Sequence, residues 1–197
     1  MKAIRAYRLH SAGFTLVEMI VTLAVAAIIA MIALPNFRNL IANARRDSIV
    51  DSLVASLHYT RNQALDLDQN TTLCAGVSGI NGTPTGANPT VCATDVWANG
   101  WDVITVPGNG NPANTLTTHA LPASSTAPTL KAVNGNLLFT FNGRGLIPSL
   151  TGNELLVVCD SRGASMARAV EVSSTGYIQS SPQPGTAPDG TTALTCP

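Results

Sequence analysis

Gly13-Phe14-Thr15-Leu16-Val17-Glu18 opens an apolar run that continues to Leu34. From Phe14 to Leu34 the only strongly polar side chains are Thr15, Glu18 and Thr22. As a helix rising about 1.5 Å per residue, these roughly 21 residues span about 30 Å, the thickness of a bilayer's hydrocarbon core. The short stretch before it carries Lys2, Arg5 and Arg8 and no acid. The positive-inside rule therefore predicts a cytoplasmic N-terminus and an exported remainder. A secretory signal also has a basic start and an apolar middle, and Ala24-Val25-Ala26 supplies the small residues such a signal needs for cleavage. A cut there would leave Ile28, Ile29, Met31 and Ile32 as a hydrophobic stub on a secreted protein, which argues against it. Glu18 is the anomaly, since an acid within a spanning helix costs on the order of 2.5–3.5 kcal/mol. Either it lies at the membrane edge, favoured by the helix dipole, or it has a partner.

Pro35 follows the apolar run and predicts a kink or, alternatively, a helix end. Beyond it Phe37, Leu40, Ile41 and Ala44, then Val50, Leu53, Val54 and Leu57, recur three and four apart. Asn43, Arg45, Arg46, Asp47, Asp51 and Ser52 fill the other face. One kinked helix from Phe14 to about Leu67 is the economical assignment, its second half laying an apolar stripe on a head domain. After Leu67 the texture changes to short β-prone runs broken by Gly, Asn and Pro. Strands are predicted at Thr71–Cys74, Trp101–Val106, Leu137–Phe141, Leu155–Cys159, Ala169–Ser173 and Tyr177–Gln179. Turn-rich loops are predicted at Ala75–Val91, Pro107–Asn136 and Ser180–Thr195. The fold class is α+β: a long kinked N-terminal helix, transmembrane in its first half, packed on an antiparallel β-sheet head of two sheets. The expected divisions are residues 1–13 as leader, 14–36 as membrane helix, 37–67 as amphipathic helix and 68–197 as head.

The formal net charge is zero, but beyond Arg61 four cations, Lys131, Arg144, Arg162 and Arg168, face eight carboxylates. A mildly acidic head has the wrong sign for non-specific attraction to phosphate, so nucleic acid is disfavoured as a partner. Cys74, Cys92, Cys159 and Cys196 form no C-x-x-C pair and match no zinc spacing, so no metal or other cofactor is expected. All four follow the membrane run, on the side where disulfides persist. Of the three possible connectivities, the favoured one is Cys74–Cys92, closing a Gly/Asn/Pro-rich loop, with Cys159–Cys196, pinning a tail that has no other evident anchor. The histidines are His10, His58 and His119, and no nucleophile elbow, phosphate loop or H-E-x-x-H helix accompanies them. The chain is expected not to be an enzyme.

The block Gly13-Phe14-Thr15-Leu16-Val17-Glu18, after a short basic leader and before an unbroken apolar helix, resembles the class III signal of type IV prepilins. That resemblance implies cleavage between Gly13 and Phe14 by a prepilin peptidase in the inner membrane, then N-methylation of Phe14. It also gives Glu18 an assembly role, as partner of the terminal ammonium of a neighbouring subunit's first residue. On a helix that begins at Phe14, the new amine lies about 6 Å along the axis from Glu18, so a neighbour shifted by that rise brings opposite charges together. In the head, Arg61-Asn62-Gln63-Ala64-Leu65, Thr72-Leu73-Cys74 and Trp97-Ala98-Asn99-Gly100-Trp101 resemble blocks of the FimT/FimU-type minor pilins and of the related pseudopilin H. Phe141-Asn142-Gly143-Arg144-Gly145 and Cys159-Asp160-Ser161-Arg162-Gly163 extend the likeness.

The resemblance implies a minor type IV pilin that packs helix to helix with the major pilin and other minor pilins and helps initiate or cap a pilus. Its head would face the periplasm before assembly and join the filament afterwards. One alternative is a type II secretion pseudopilin of the H type. A second is a tip pilin that captures DNA, but some relatives do so through an arginine-bearing segment near the C-terminus. Here Gly176-Tyr177-Ile178-Gln179 stands in that place and no Lys or Arg follows Arg168.

Overall fold

The computed structural model describes residues 14–76, 96–106, 114–122 and 127–196, apart from the side chains of Pro35 and Val106. One helix, α1, runs from Leu16 to Leu67. It continues through Pro35, so that residue ends nothing; a proline removes one bond of the ladder and the turns on either side carry the helix across. The chain divides into two compact units, Met1–Ile41 and Ala42–Pro197. In the first, α1 is long and apolar enough to cross a membrane, and its described side chains are exposed.

In the second unit α1 buries Arg46, Ile49, Val50, Leu53, Leu57, Thr60 and Ala64, a three-and-four spacing that defines one face. This corrects the expected stripe at two points. Phe37, Leu40, Ile41 and Ala44 are exposed, and Arg46, assigned above to the polar face, is only 2% exposed. Helical phase explains the second point, because Arg46 stands three, four and seven residues before Ile49, Val50 and Leu53. The helix ends where Asp68 turns to a positive φ of 48° and the Gln69 N–H reaches back to the Ala64 carbonyl at 3.2 Å.

Two four-stranded antiparallel sheets follow. The first has the order β3-β2-β1-β5, from Asn114–Ala120, Gly100–Val106, Asn70–Ala75 and Leu138–Phe141. The second has the order β4-β6-β7-β8, from Thr129–Ala132, Asn153–Cys159, Arg168–Ser173 and Ile178–Ser180. The six predicted strands coincide with β1, β2, β5, β6, β7 and β8. Strands β3 and β4 fall in the stretch predicted as the loop Pro107–Asn136. β3 is Thr-rich and buries no side chain fully, and β4 is four residues long with only Leu130 deeply buried. β3 lacks the alternation that marks a half-buried strand, and β4 shows it over only the four residues Thr129–Ala132.

The main core lies among α1 and the inner faces of both sheets, where Val50, Leu53, Leu57 and Ala64 join Leu73, Trp101, Phe139, Phe141, Leu156, Val158, Val170 and Val172. A smaller cluster on the second sheet's other face holds Val157, Cys159, Ala167 and Ala169 under Ala187 and Leu194 of the C-terminal tail. The tail is tied down by a disulfide between Cys159 and Cys196. Cys74 is also disulfide-bonded; Cys92, its expected partner, lies outside the described residues, so that pairing does too.

Glu154 of β6 is completely buried. Its Oε1 accepts from the Asn134 N–H at 2.8 Å, its Oε2 accepts from the Asn136 side-chain amide, and the Asn136 carbonyl accepts from the Trp97 indole at 2.9 Å. This carboxylate therefore fixes the turn that carries the chain from β4 to β5, one sheet to the other. Glu154→Ala should destabilise the second unit by about 3 kcal/mol, because it removes both bonds that hold this turn and opens a cavity at a wholly buried position. Urea unfolding of the full chain in detergent measures it.

Candidate assembly site

The start of α1 is set by Thr15. Its Oγ1 accepts the Glu18 backbone N–H at 3.2 Å, and its carbonyl accepts from Met19 at 3.2 Å. Thr15-Leu16-Val17-Glu18 thus has the S/T-x-x-E form of a capping box, a signal the sequence reading passed over. Phe14 and Thr15 precede the helix, so the distance of about 6 Å expected on a helix beginning at Phe14 does not apply to the terminal residue. Both Phe14 and Glu18 are exposed. Among the described residues no cation pairs with the Glu18 carboxylate. Gly13 lies outside the described residues.

The other polar groups of this segment are satisfied within the helix. Thr22 donates its hydroxyl to the Met19 carbonyl at 2.9 Å, and the Asn36 amide donates to the Ile32 carbonyl at 3.3 Å. Such back-bonding lets a hydroxyl or amide sit among apolar neighbours at small cost. Glu18 is the side chain left over, the one strongly polar group in the run with no local bond to its own oxygens.

At its other end α1 is held by glycine contacts. Arg61 Nε donates to the Gly145 carbonyl at 3.2 Å. A Cβ on Gly143 would stand 2.2 Å from Asp68 Oδ1, and one on Gly176 would stand 2.0 Å from the Gly145 carbonyl oxygen. The Asn142 carboxamide accepts from the Arg144 and Leu146 N–H groups at 3.0 and 3.1 Å, closing the loop. Arg61 and the Phe141–Gly145 block are thereby one contact, brought together from 80 residues apart.

The arginines of the head are largely committed. Arg46 donates to the Met166 carbonyl at 2.6 Å and to Asp47; Arg168 donates to the Ser181 carbonyl at 2.5 Å and lies 3.4 Å from Asp47. Arg162 pairs with Asp160 at 2.5 Å. Burial alone raises the Asp160 carboxyl, but side-chain and backbone hydrogen bonds from Arg162 outweigh it and hold the group below the usual range. His119, stacked on Trp101 with ring centroids 4.4 Å apart, is pushed down by burial. Among the described residues no group of three or more His, Cys, Asp or Glu side chains gathers as a metal would require.

Comparison with known proteins follows the same division. Residues 50–176 match the family described as type II transport protein GspH. Residues 8–34 match the prokaryotic N-terminal methylation motif. Two crystal structures of the type IV minor pilin FimU from Pseudomonas aeruginosa share the fold. One is 22% identical, covering 70% of this chain and 88% of FimU with a TM-score of 0.52. The other is 21% identical, covering 69% and 92% with a TM-score of 0.51. Among curated protein sequences none matches.

Proposed function

The chain belongs to the family of the type II transport protein GspH, and from that premise we propose that it is a minor type IV pilin that helps initiate or cap a filament. The observation that carries the reading is the wholly exposed apolar stretch of α1, covered by the methylation motif matched over residues 8–34 and containing one acid without a partner among the described residues. Phe14 is then the mature, methylated N-terminus, and its ammonium on a neighbouring subunit is the partner of Glu18. The helix anchors the subunit in the inner membrane with the head in the periplasm, and assembly transfers the helix from lipid to other pilins. Repeated helix-to-helix contact of this head-to-tail kind builds an open fibre. The chain carries no reaction of its own; cleavage and methylation are done to it by the prepilin peptidase.

A second reading, a pseudopilin of type II secretion, is favoured by the family match itself and shares every feature of α1. DNA capture is disfavoured by chemistry, because Arg46, Arg61, Arg162 and Arg168 already bond within the chain. Deleting the gene while keeping the major pilin should sharply reduce surface fibres. Unchanged piliation with impaired secretion would transfer the protein to the secretion system. Gly13→Val should block maturation, and mass spectrometry of the membrane fraction should then find the leader still attached. A native chain beginning anywhere but at methylated Phe14 would remove the basis of the proposal.

A further inference from the structure

We propose that the Cys159–Cys196 disulfide and the first seated turns of α1 form a single redox-sensitive latch, coupled through Arg168. The first buried side chain of the helix is a charge, Arg46, and what holds it lies on the element that also holds the tail. Arg46 Nη1 donates to the Met166 carbonyl at 2.6 Å, while the carbonyl of the next residue, Ala167, accepts from Gly185 of the tail at 2.8 Å. Two residues on, Arg168 reaches both ways, Nη1 to Asp47 of the helix at 3.4 Å and Nη2 to the Ser181 carbonyl at 2.5 Å. Ser181 opens the tail. Its N–H donates to the Ala169 carbonyl and its Oγ accepts from the Ala169 N–H, both at 2.8 Å.

Further along the tail, the Pro188 carbonyl accepts from the Gln179 side-chain amide at 3.1 Å, and Asp189 Oδ1 accepts from the Thr191 and Thr192 N–H groups at 2.9 Å. The tail buries Ala187 and Leu194 over Val157, Ala167 and Ala169, and folds on itself through Leu194 N–H to Gly185 carbonyl at 2.9 Å. The covalent tie between Cys196 and Cys159 closes this small apolar contact at the far end of the tail. On the helix side two guanidinium groups share one carboxylate, Asp47 Oδ1. A displaced Arg168 removes the ion pair that ties β7 to Asp47, leaves Arg46 as the sole partner of that carboxylate, and so loosens the seat of the helix. Reduction needs a dithiol. Its thiolate attacks one sulfur of the bond, its second thiol resolves the mixed disulfide, and Cys159 and Cys196 leave as thiols while the dithiol becomes a disulfide. The coupling stands on the geometry of the head and does not depend on the pilin reading; under that reading, only the oxidised chain presents a firmly seated helix to its neighbours.

Hydrogen exchange on the full chain in detergent tests the latch. The pair Cys159→Ser and Cys196→Ser removes this bond and leaves that of Cys74 in place. Amides 181–196 should exchange faster, and amides 46–53 of α1 should accelerate about tenfold or more with them, while strands β1 and β2 stay protected. Arg168→Met should loosen amides 46–53 by itself, and adding it to the serine pair should give no further acceleration there, the signature of shared coupling. Should the serine pair not fold, Leu194→Asp lifts the tail with the disulfide intact and should move the same two segments together. Acceleration confined to the tail, or effects of Arg168→Met and tail release that multiply independently, would overturn the proposal.

Discussion

Replacing Glu18 with alanine is expected to lower incorporation of the subunit into fibres by ten- to a hundredfold, while cleavage after Gly13 stays largely intact. Keeping a carboxylate in a spanning helix costs on the order of 2.5–3.5 kcal/mol, and a residue bearing that cost needs a return in the assembled state. Among the described residues the structure locates no return. Thr15 takes the Glu18 backbone N–H, not its carboxylate, and no described cation pairs with it. In the proposed assembly, a terminal ammonium on the next subunit would supply the opposite charge in a low-dielectric setting, where pairing is strong. The helix cap survives the substitution because it uses main-chain atoms of residue 18. The ratio of subunit in sheared fibres to subunit in membranes, read by immunoblot, measures the effect. Glu18→Gln separates charge from size and should behave like alanine; normal incorporation of either variant would sink the pairing role.

The second large effect is expected at Gly176. Valine there places a Cβ 2.0 Å from the Gly145 carbonyl oxygen, at a φ of +76° that branched side chains rarely tolerate. Both the turn after β7 and the loop that receives Arg61 must then shift, and the bond from Arg61 to Gly145 breaks with them. A loss of at least ~3 kcal/mol is expected from backbone strain and the broken contact together. In a domain of this size that lowers the melting temperature by about 6–12 °C. Thermal unfolding by circular dichroism checks it.

The helix and six of the eight strands could be read from the chain because each carries a periodic apolar signal with Gly, Asn or Pro at its ends. Strand β3 could not, since Thr115, Thr117 and Thr118 are all exposed and Leu116 is half-buried. Arg46 was misplaced for a related reason. Its type says surface while its phase says core, and only the distant Met166 carbonyl and its neighbour Asp47 together make the burial tolerable. Phe14 and Glu18 were legible as a motif, whereas the capping role of Thr15 needed the observed helix start. The Phe141–Gly145 block showed its purpose only in three dimensions, because nothing local reveals that its glycines make room for Arg61 and Asp68.

The placement of that helix start has a further consequence for maturation. Leu16 is the first residue in helical conformation, so under the proposed cleavage the new N-terminus at Phe14 would lie outside α1 and leave the bonds of the helix intact. On the proposed reading, the subunit would enter a fibre with α1 unchanged and with Phe14 alone beyond the Thr15 cap, carrying the new ammonium towards an adjoining carboxylate.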